Sequence, residues 1–132
     1  MKRNQNLEIL ALVSAILWST NSAQAQIRET AEQITVRAEA LNNQGVDALE
    51  IGKFVEAIKL FQEAIYLRPA YTIAYGNLGA GFYHTGQSED ATTSLKKAIQ
   101  LNSNYAEGYN MLGVIYAETG RNSEAVELLE SV

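Results

Sequence analysis

The apolar positions of this sequence recur with a period of 34 residues over most of the chain. Two columns of large residues and three columns of small residues keep this spacing. The large columns are Leu41, Tyr75 and Tyr109, then Phe61, Leu95 and Leu129; the small ones are Gly45, Gly79 and Gly113, then Gly52, Gly86 and Gly120, then Ala57, Ala91 and Ala125. A period of this length predicts a stack of repeated helical units.

Helix-breaking residues and the 34-residue period divide the repeated region into three units, which are Ala38–Tyr71, Thr72–Tyr105 and an incomplete one from Ala106 to Val132. In each unit we expect a first helix of about 14 residues that ends near the second glycine column. Glycine can adopt the left-handed conformation that closes a helix there. A second helix follows, and we predict N-cap residues at Ser88 in the second unit and at Asn122 and Ser123 in the third, each followed by acids.

The first glycine column, with Gly45, Gly79 and Gly113, falls in the middle of the first helices. Glycine costs about 1 kcal/mol relative to alanine inside a helix, so its recurrence needs a compensating use. We expect that use to be close approach of the paired second helix, with the alanine column supplying the opposite surface.

The N-terminus has the pattern of a secretory signal. Lys2 and Arg3 precede an apolar run from Leu7 to Trp18, and Ala23-Gln24-Ala25 has the A-x-A pattern that signal peptidase recognises. The run is too short to span a bilayer and fits a signal core, so cleavage is predicted between Ala25 and Gln26. An uncleaved anchor and an ordinary core helix are the alternatives.

Behind the predicted signal, 1–25, residues 26–37 are mostly polar, with apolar positions in steps of three and four. This spacing predicts a helical leader to the first unit. If the signal is removed, the protein is exported, periplasmic or secreted, without stable insertion in the membrane.

Composition narrows the chemistry of the chain. It has no cysteine, so it has no disulfide, thiolate metal site or cysteine-linked lipid. His84 is the only histidine, and Glu89 and Asp90 are better explained as helix-start charges than as an acid and base pair. No metal, cofactor or catalytic constellation is predicted. The net charge of −5 argues against nucleic acid as the partner.

The second unit reads Tyr75-x2-Leu78-Gly79-x2-Phe82, followed by Gly86, Ala91, Leu95 and Ala98. This pattern resembles the tetratricopeptide repeat family, and the resemblance covers 38–132. It implies an all-α fold, a right-handed superhelical stack of helix-turn-helix pairs with about two and a half to three repeats. The first unit departs from the pattern, with Leu41, Gln44 and Ala48 at its three large positions.

The resemblance also implies a concave groove, lined by first helices, that binds a peptide or protein segment. Asn43 and Asn77 share a column and could hydrogen-bond a peptide backbone, whereas Val46, Leu49 and Ile73 could equally pack against neighbouring helices. The full predicted groove comprises Asn42, Asn43, Val46, Leu49, Ile73, Asn77, Ala80, Tyr83, His84, Asn110, Met111, Val114 and Ala117. Some members of the family bind the C-terminal carboxylate of a partner with lysine, arginine and asparagine in this groove, but the matching positions here carry no lysine or arginine. Acids lie at the rim of the groove instead, which favours a neutral or basic ligand; they are Glu39, Glu50, Glu107 and Glu118.

The third unit stops inside its second helix, which leaves Leu128, Leu129 and Val132 at an open end. We expect either a truncated array or a homo-oligomer that pairs through this uncapped repeat. The leading functional hypothesis is a non-enzymatic protein-binding module that scaffolds an envelope or periplasmic assembly. The alternatives are the N-terminal targeting arm of a larger enzyme and a self-associating structural protein.

Overall fold

The fold is a stack of helix-turn-helix pairs. The structure, a computed structural model, describes residues 2–132, with the side chains of all of these except residues 2, 3 and 29. The predicted basic start of the signal, at Lys2 and Arg3, therefore falls on side chains outside this description. The described residues form six helices, which are α1 (Lys2–Glu50), α2 (Phe54–Leu67), α3 (Thr72–His84), α4 (Ser88–Leu101), α5 (Ala106–Glu118) and α6 (Asn122–Glu130). The predicted all-α, right-handed superhelical stack is confirmed.

The chain divides into two units, Met1–Thr35 and Val36–Val132. Within the first unit, the helical residues present large apolar side chains to solvent, among them Leu7, Leu10 and Trp18. Among the described residues, no helix combines the length and apolar character that crossing a membrane requires. The second unit contains all the predicted repeats.

The second glycine column ends the first helix of every repeat, as predicted. Gly52, Gly86 and Gly120 have φ of 78°, 77° and 70°. After α3, the Gly86 amide donates to the Tyr83 carbonyl at 3.0 Å and the Gln87 amide to the Phe82 carbonyl at 2.9 Å. These two bonds form a Schellman motif, which satisfies carbonyls that the helix end would otherwise leave unpaired.

The predicted N-caps are wrong by one residue at Ser88 and Asn122 and by two at Ser123. The cap positions of α4 and α6 are Gln87 and Arg121, and neither makes a side-chain capping bond within the described part of the chain. Because one residue separates each glycine from the next helix, Ser88 and Asn122 already lie in the first turn. The acids behind them are in the first turn as expected, where they complement the helix dipole.

The first glycine column allows close helix approach in two units out of three. A Cβ on Gly45 would lie 2.5 Å from the Phe61 ring, and one on Gly79 would lie 2.7 Å from Leu95 Cγ. Apart from adjoining residues and backbone of α5 itself, no described atom lies within 4 Å of the equivalent position on Gly113, so the prediction is wrong there. The physical reason is that Leu129, the counterpart of Leu95, is 77% exposed and does not reach the glycine.

Successive repeats share hydrophobic clusters. Leu78 of α3 packs with Ala57, Ile58 and Phe61 of α2. In the same way, the first helix of the third repeat packs against the second helix of the second repeat, in a cluster of Ala91, Leu95, Leu112, Ile115 and Tyr116. The core therefore runs between the repeats, and each first helix has one side that is left for other contacts.

Candidate functional site

The first helices of neighbouring repeats are joined by polar side chains. Asn77 Nδ2 donates to Asn42 Oδ1 at 3.0 Å, and Asn42 is only 4% exposed. The Asn77 amide is therefore partly engaged within the protein. Asn43, which shares its sequence column with Asn77, is exposed. Asn77 and Asn43 are therefore not equivalent, because Asn77 pairs with Asn42 within the protein and Asn43 is exposed to solvent.

A second bond joins the first helices at the same offset of 35 residues. The Tyr83 hydroxyl donates to Glu118 Oε1 at 2.8 Å. This hydrogen bond raises the pKa of Tyr83 above its ordinary value, because deprotonation would place two negative oxygens together. The carboxylate that sequence reasoning placed on the rim is thus brought into contact with a predicted groove tyrosine.

Three aromatic rings meet at the end of α3. His84 stacks on Phe54 with ring centroids 4.8 Å apart and an interplanar angle of 7°. Tyr83 meets His84 edge-on at 5.6 Å. Phe54 was not among the predicted groove residues. Its column did offer a signal, because the equivalent positions in the next two repeats carry the polar residues Ser88 and Asn122. The cluster offers flat apolar surface with polar tips.

The other predicted groove residues divide by burial. Val46 and Leu49 pack against the cluster around Phe61, and Met111 packs against the next one, so these three contribute mainly to packing. Ile73 is 51% exposed and Ala80 is half-buried. Residues 73, 77, 80 and 84 lie on one side of α3 by helical spacing. We call the accessible set the first-helix face, and it comprises Asn43, Ile73, Ala80, Tyr83 and His84.

The remaining predicted residues, Asn110, Val114 and Ala117, lie on α5. They line an apolar cavity of about 540 Å³ between α5 and α6. Gly113 lies in the wall of this cavity, at the place where the helices fail to close together. The full lining is Ala106, Tyr109, Asn110, Gly113, Val114, Ala117, Ala125, Leu128, Leu129 and Val132.

The first helices, which carry the first-helix face, are poor in positive charge. Residues 38–50, 72–84 and 106–118 contain no lysine or arginine, whereas they contain four glutamates and one aspartate. Of the predicted rim, Glu39 is paired with Arg68 at 3.4 Å, and Glu118 is held by Tyr83. Within the described residues, no group of three or more His, Cys, Asp and Glu side chains could hold a metal ion. The face is suited to contacts with apolar, neutral or cationic groups.

Sequence comparison assigns two segments to one type of repeat. A tetratricopeptide repeat model matches residues 38–71, and a second TPR repeat model matches residues 81–120. Together these segments are more than half of the 132 residues. No curated protein matches the sequence significantly.

Solved structures with the same fold include proteins of several kinds. A MamA crystal structure has a TM-score of 0.70 at 29% identity, covering 74% of this chain and 57% of that one. The second TPR of Spaghetti (RPAP3), bound to the HSP90 peptide SRMEEVD, has a TM-score of 0.72 at 20% identity, covering 78% and 94%. The Sgt2 TPR domain from Aspergillus fumigatus has a TM-score of 0.67 at 24% identity, covering 71% and 62%. This chain thus spans under two thirds of MamA and Sgt2.

Proposed function

This chain belongs to the tetratricopeptide repeat family, and from that premise we propose that its first-helix face binds a peptide segment of a partner protein. Repeats of this family are generally non-enzymatic interaction modules. The observation that carries the proposal is the aromatic cluster of Phe54, Tyr83 and His84, which lies beside the Glu118 carboxylate, where the first helices themselves contribute no lysine or arginine.

The chemistry of this face favours a neutral or basic ligand with apolar anchors. Aromatic rings can hold an aliphatic or cationic side chain, and Glu118 can pair with a lysine or arginine at the same place. The peptide bound to Spaghetti, SRMEEVD, carries three acids. A segment of that type would meet Glu118 and no compensating cation on the first helices, so we expect it to bind weakly here.

Fluorescence anisotropy with labelled peptides of equal length tests this proposal. The peptides share apolar anchors and differ only in having lysine, glutamine or glutamate around them. We expect the lysine series to bind most tightly, and Tyr83→Ala with His84→Ala to weaken binding about tenfold or more, as for a central aromatic anchor. Tyr66→Ala is the matched control, since Tyr66 is an aromatic residue on α2 that is 86% exposed. Preferential binding of the glutamate series would contradict the proposal.

We further propose that the protein is exported and scaffolds an envelope or periplasmic assembly. The basic start, the apolar run Leu7 to Trp18 and the Ala23-Gln24-Ala25 motif support this location. Mass measurement on the protein from an envelope fraction is expected to give an N-terminus at Gln26. Ala23→Asp should leave the precursor uncleaved, whereas Gln24→Asp, at the permissive middle position, should not. Intact protein in the cytosolic fraction alone would reject export.

A further inference from the structure

The turn between α1 and α2 is apolar where the equivalent turns of the later repeats are polar. Ile51, Phe54 and Val55 occupy positions that the next two repeats fill with polar residues, which are Thr85, Ser88 and Glu89, then Thr119, Asn122 and Ser123. Ile51 is 69% exposed and Val55 is 77% exposed, so neither contributes to the core. Apolar side chains grouped at one exposed turn point to a contact surface.

A shallow groove of about 620 Å³ opens beside this turn. Phe54 and Val55 supply its apolar wall, and Thr85 borders it from the second repeat. The groove therefore lies at the junction of two repeats and not at an end of the stack. We call it the turn groove.

Phe54 joins the turn groove to the first-helix face. Its ring stacks on His84 at 4.8 Å, and Thr85 of the groove follows His84 directly. An extended peptide advances about 3.3 Å per residue, so a few residues carry it from the aromatic cluster into the groove. A ligand of the first-helix face can thus continue into the turn groove along one surface.

The turn groove carries cations, in contrast to the first helices. Lys53 and Lys59 line it together with one acid, Glu56. Lys53 and Glu56 pair with each other at 3.5 Å, whereas Lys59 makes no ion pair with any residue whose side chain is described. The charge of Lys59 is therefore available to a ligand. At the opposite end of the aromatic cluster, the available charge is the Glu118 carboxylate beside Tyr83.

We propose that the peptide ligand has ends of opposite charge, with an apolar and an acidic residue in the turn groove and a basic residue beside Glu118. The inference rests on the proposed peptide binding and adds the distribution of charge along the ligand. An acid beside Glu118 and a base beside Lys59 would each be repelled, so a ligand of uniform charge gains at one end and loses at the other.

Three labelled peptides of about eight residues test this distribution. They share leucine anchors in the middle, and they carry lysines at one end and glutamates at the other, lysines at both ends, or glutamines at both ends. By fluorescence anisotropy with the full protein, we expect the peptide with opposite ends to bind about two- to tenfold more tightly than the other two, as for exposed ion pairs. The advantage should shrink at high salt.

Lys59→Glu should reverse the preference, so that the peptide with lysines at both ends binds more tightly than the one with opposite ends. Lys97→Glu is the matched control, since it makes the same change of charge on α4, outside the lining of the turn groove. Val55→Asn should weaken binding of the peptide with opposite ends without lowering Tm, because Val55 is exposed. Circular dichroism checks that all three variants fold.

Equal affinity for the peptides with opposite and with lysine ends overturns the inference, as does a preference that Lys59→Glu leaves unchanged. Equal effects of Lys59→Glu and Lys97→Glu overturn it too, because net charge would then be the cause. In these cases the proposed function stands if Tyr83→Ala with His84→Ala still weakens binding. Absence of binding for all three peptides overturns the inference and the proposed function together.

Discussion

Alanine substitution at Gly79 and at Gly113 is expected to have opposite effects on stability, although the two glycines occupy the same column of the repeat. A Cβ on Gly79 would lie 2.7 Å from Leu95 Cγ and 3.3 Å from the Ala91 carbonyl oxygen. Leu95 is 1% exposed, so it has little room to move. Around Gly113, no described atom outside the adjoining residues and backbone of α5 lies within 4 Å of the same position.

The magnitudes follow from two opposing terms. Replacing a mid-helix glycine with alanine stabilises the helix by about 0.5–1 kcal/mol. At Gly113 this term acts alone, so Gly113→Ala should stabilise the protein by about that amount. At Gly79 the added methyl overpacks the contact with Leu95, which costs about 1–3 kcal/mol. The net effect of Gly79→Ala is then a loss of about 0–2.5 kcal/mol.

Thermal and urea unfolding followed by circular dichroism at 222 nm measure both variants. For a domain of this size, about 1 kcal/mol corresponds to roughly 4–8 °C in Tm. We therefore expect Gly113→Ala to melt above the parent and Gly79→Ala below it. If Gly79→Ala were stabilised as much as Gly113→Ala, the close approach of α3 and α4 would be wrong. If Gly113→Ala were destabilised, α5 and α6 would be closed together and the cavity between them would not exist.

Three further outcomes test the helix ends and the polar contacts. Gly86→Ala should lower Tm by an amount equivalent to about 1–2 kcal/mol, because φ is +77° and a side chain is disfavoured in that region. Asn77→Ala should cost about 1–3 kcal/mol in urea unfolding, since it removes the donor to the buried Asn42. The hydrogen bond from Arg121 holds the pKa of Glu124 below its ordinary value of 4.5. The stability that this pair contributes is therefore present above pH 4.5 and lost as the pH falls through the lowered value, so Arg121→Ala should flatten the acid limb of the stability curve.

Each of these outcomes has a result that would contradict it. An unchanged Tm for Gly86→Ala would mean that the turn does not need a left-handed residue. Additive costs for Asn42→Ala and Asn77→Ala would show that the two amides do not act as a pair. If Arg121→Ala lost as much stability in acid as the parent, Glu124 would not be the source of that loss.

Local signals in the sequence were sufficient for the helical framework. Each first helix ends at a glycine in the left-handed region, which residues with a side chain rarely adopt. Gly52, Gly86 and Gly120 could therefore be assigned from their spacing alone. The close approach of the second helix to Gly45 and Gly79 was predicted as well, but the partner residues were not, because the nearest side chains are Phe61 and Leu95 of the large column and not the alanine column.

The candidate site could not be predicted in the same way, because its contacts join residues from different columns of the repeat. Asn42 and Asn77 come from different columns, and only the stacking of α3 on the preceding first helix brings them within hydrogen-bond distance. The stack of Phe54 on His84 likewise joins the start of one helix to the end of another.

The 34-residue period by itself determined that the chain forms paired helices and where each first helix ends. Only the tertiary structure decided which repeated positions are equivalent in environment as well as in sequence. Leu95 and Leu129 have the same place in the repeat, yet one is buried and the other exposed, because burial depends on the neighbouring helix and not on the repeat itself. For the same reason Gly79 is in contact with Leu95, whereas Gly113 lies in the wall of the α5/α6 cavity.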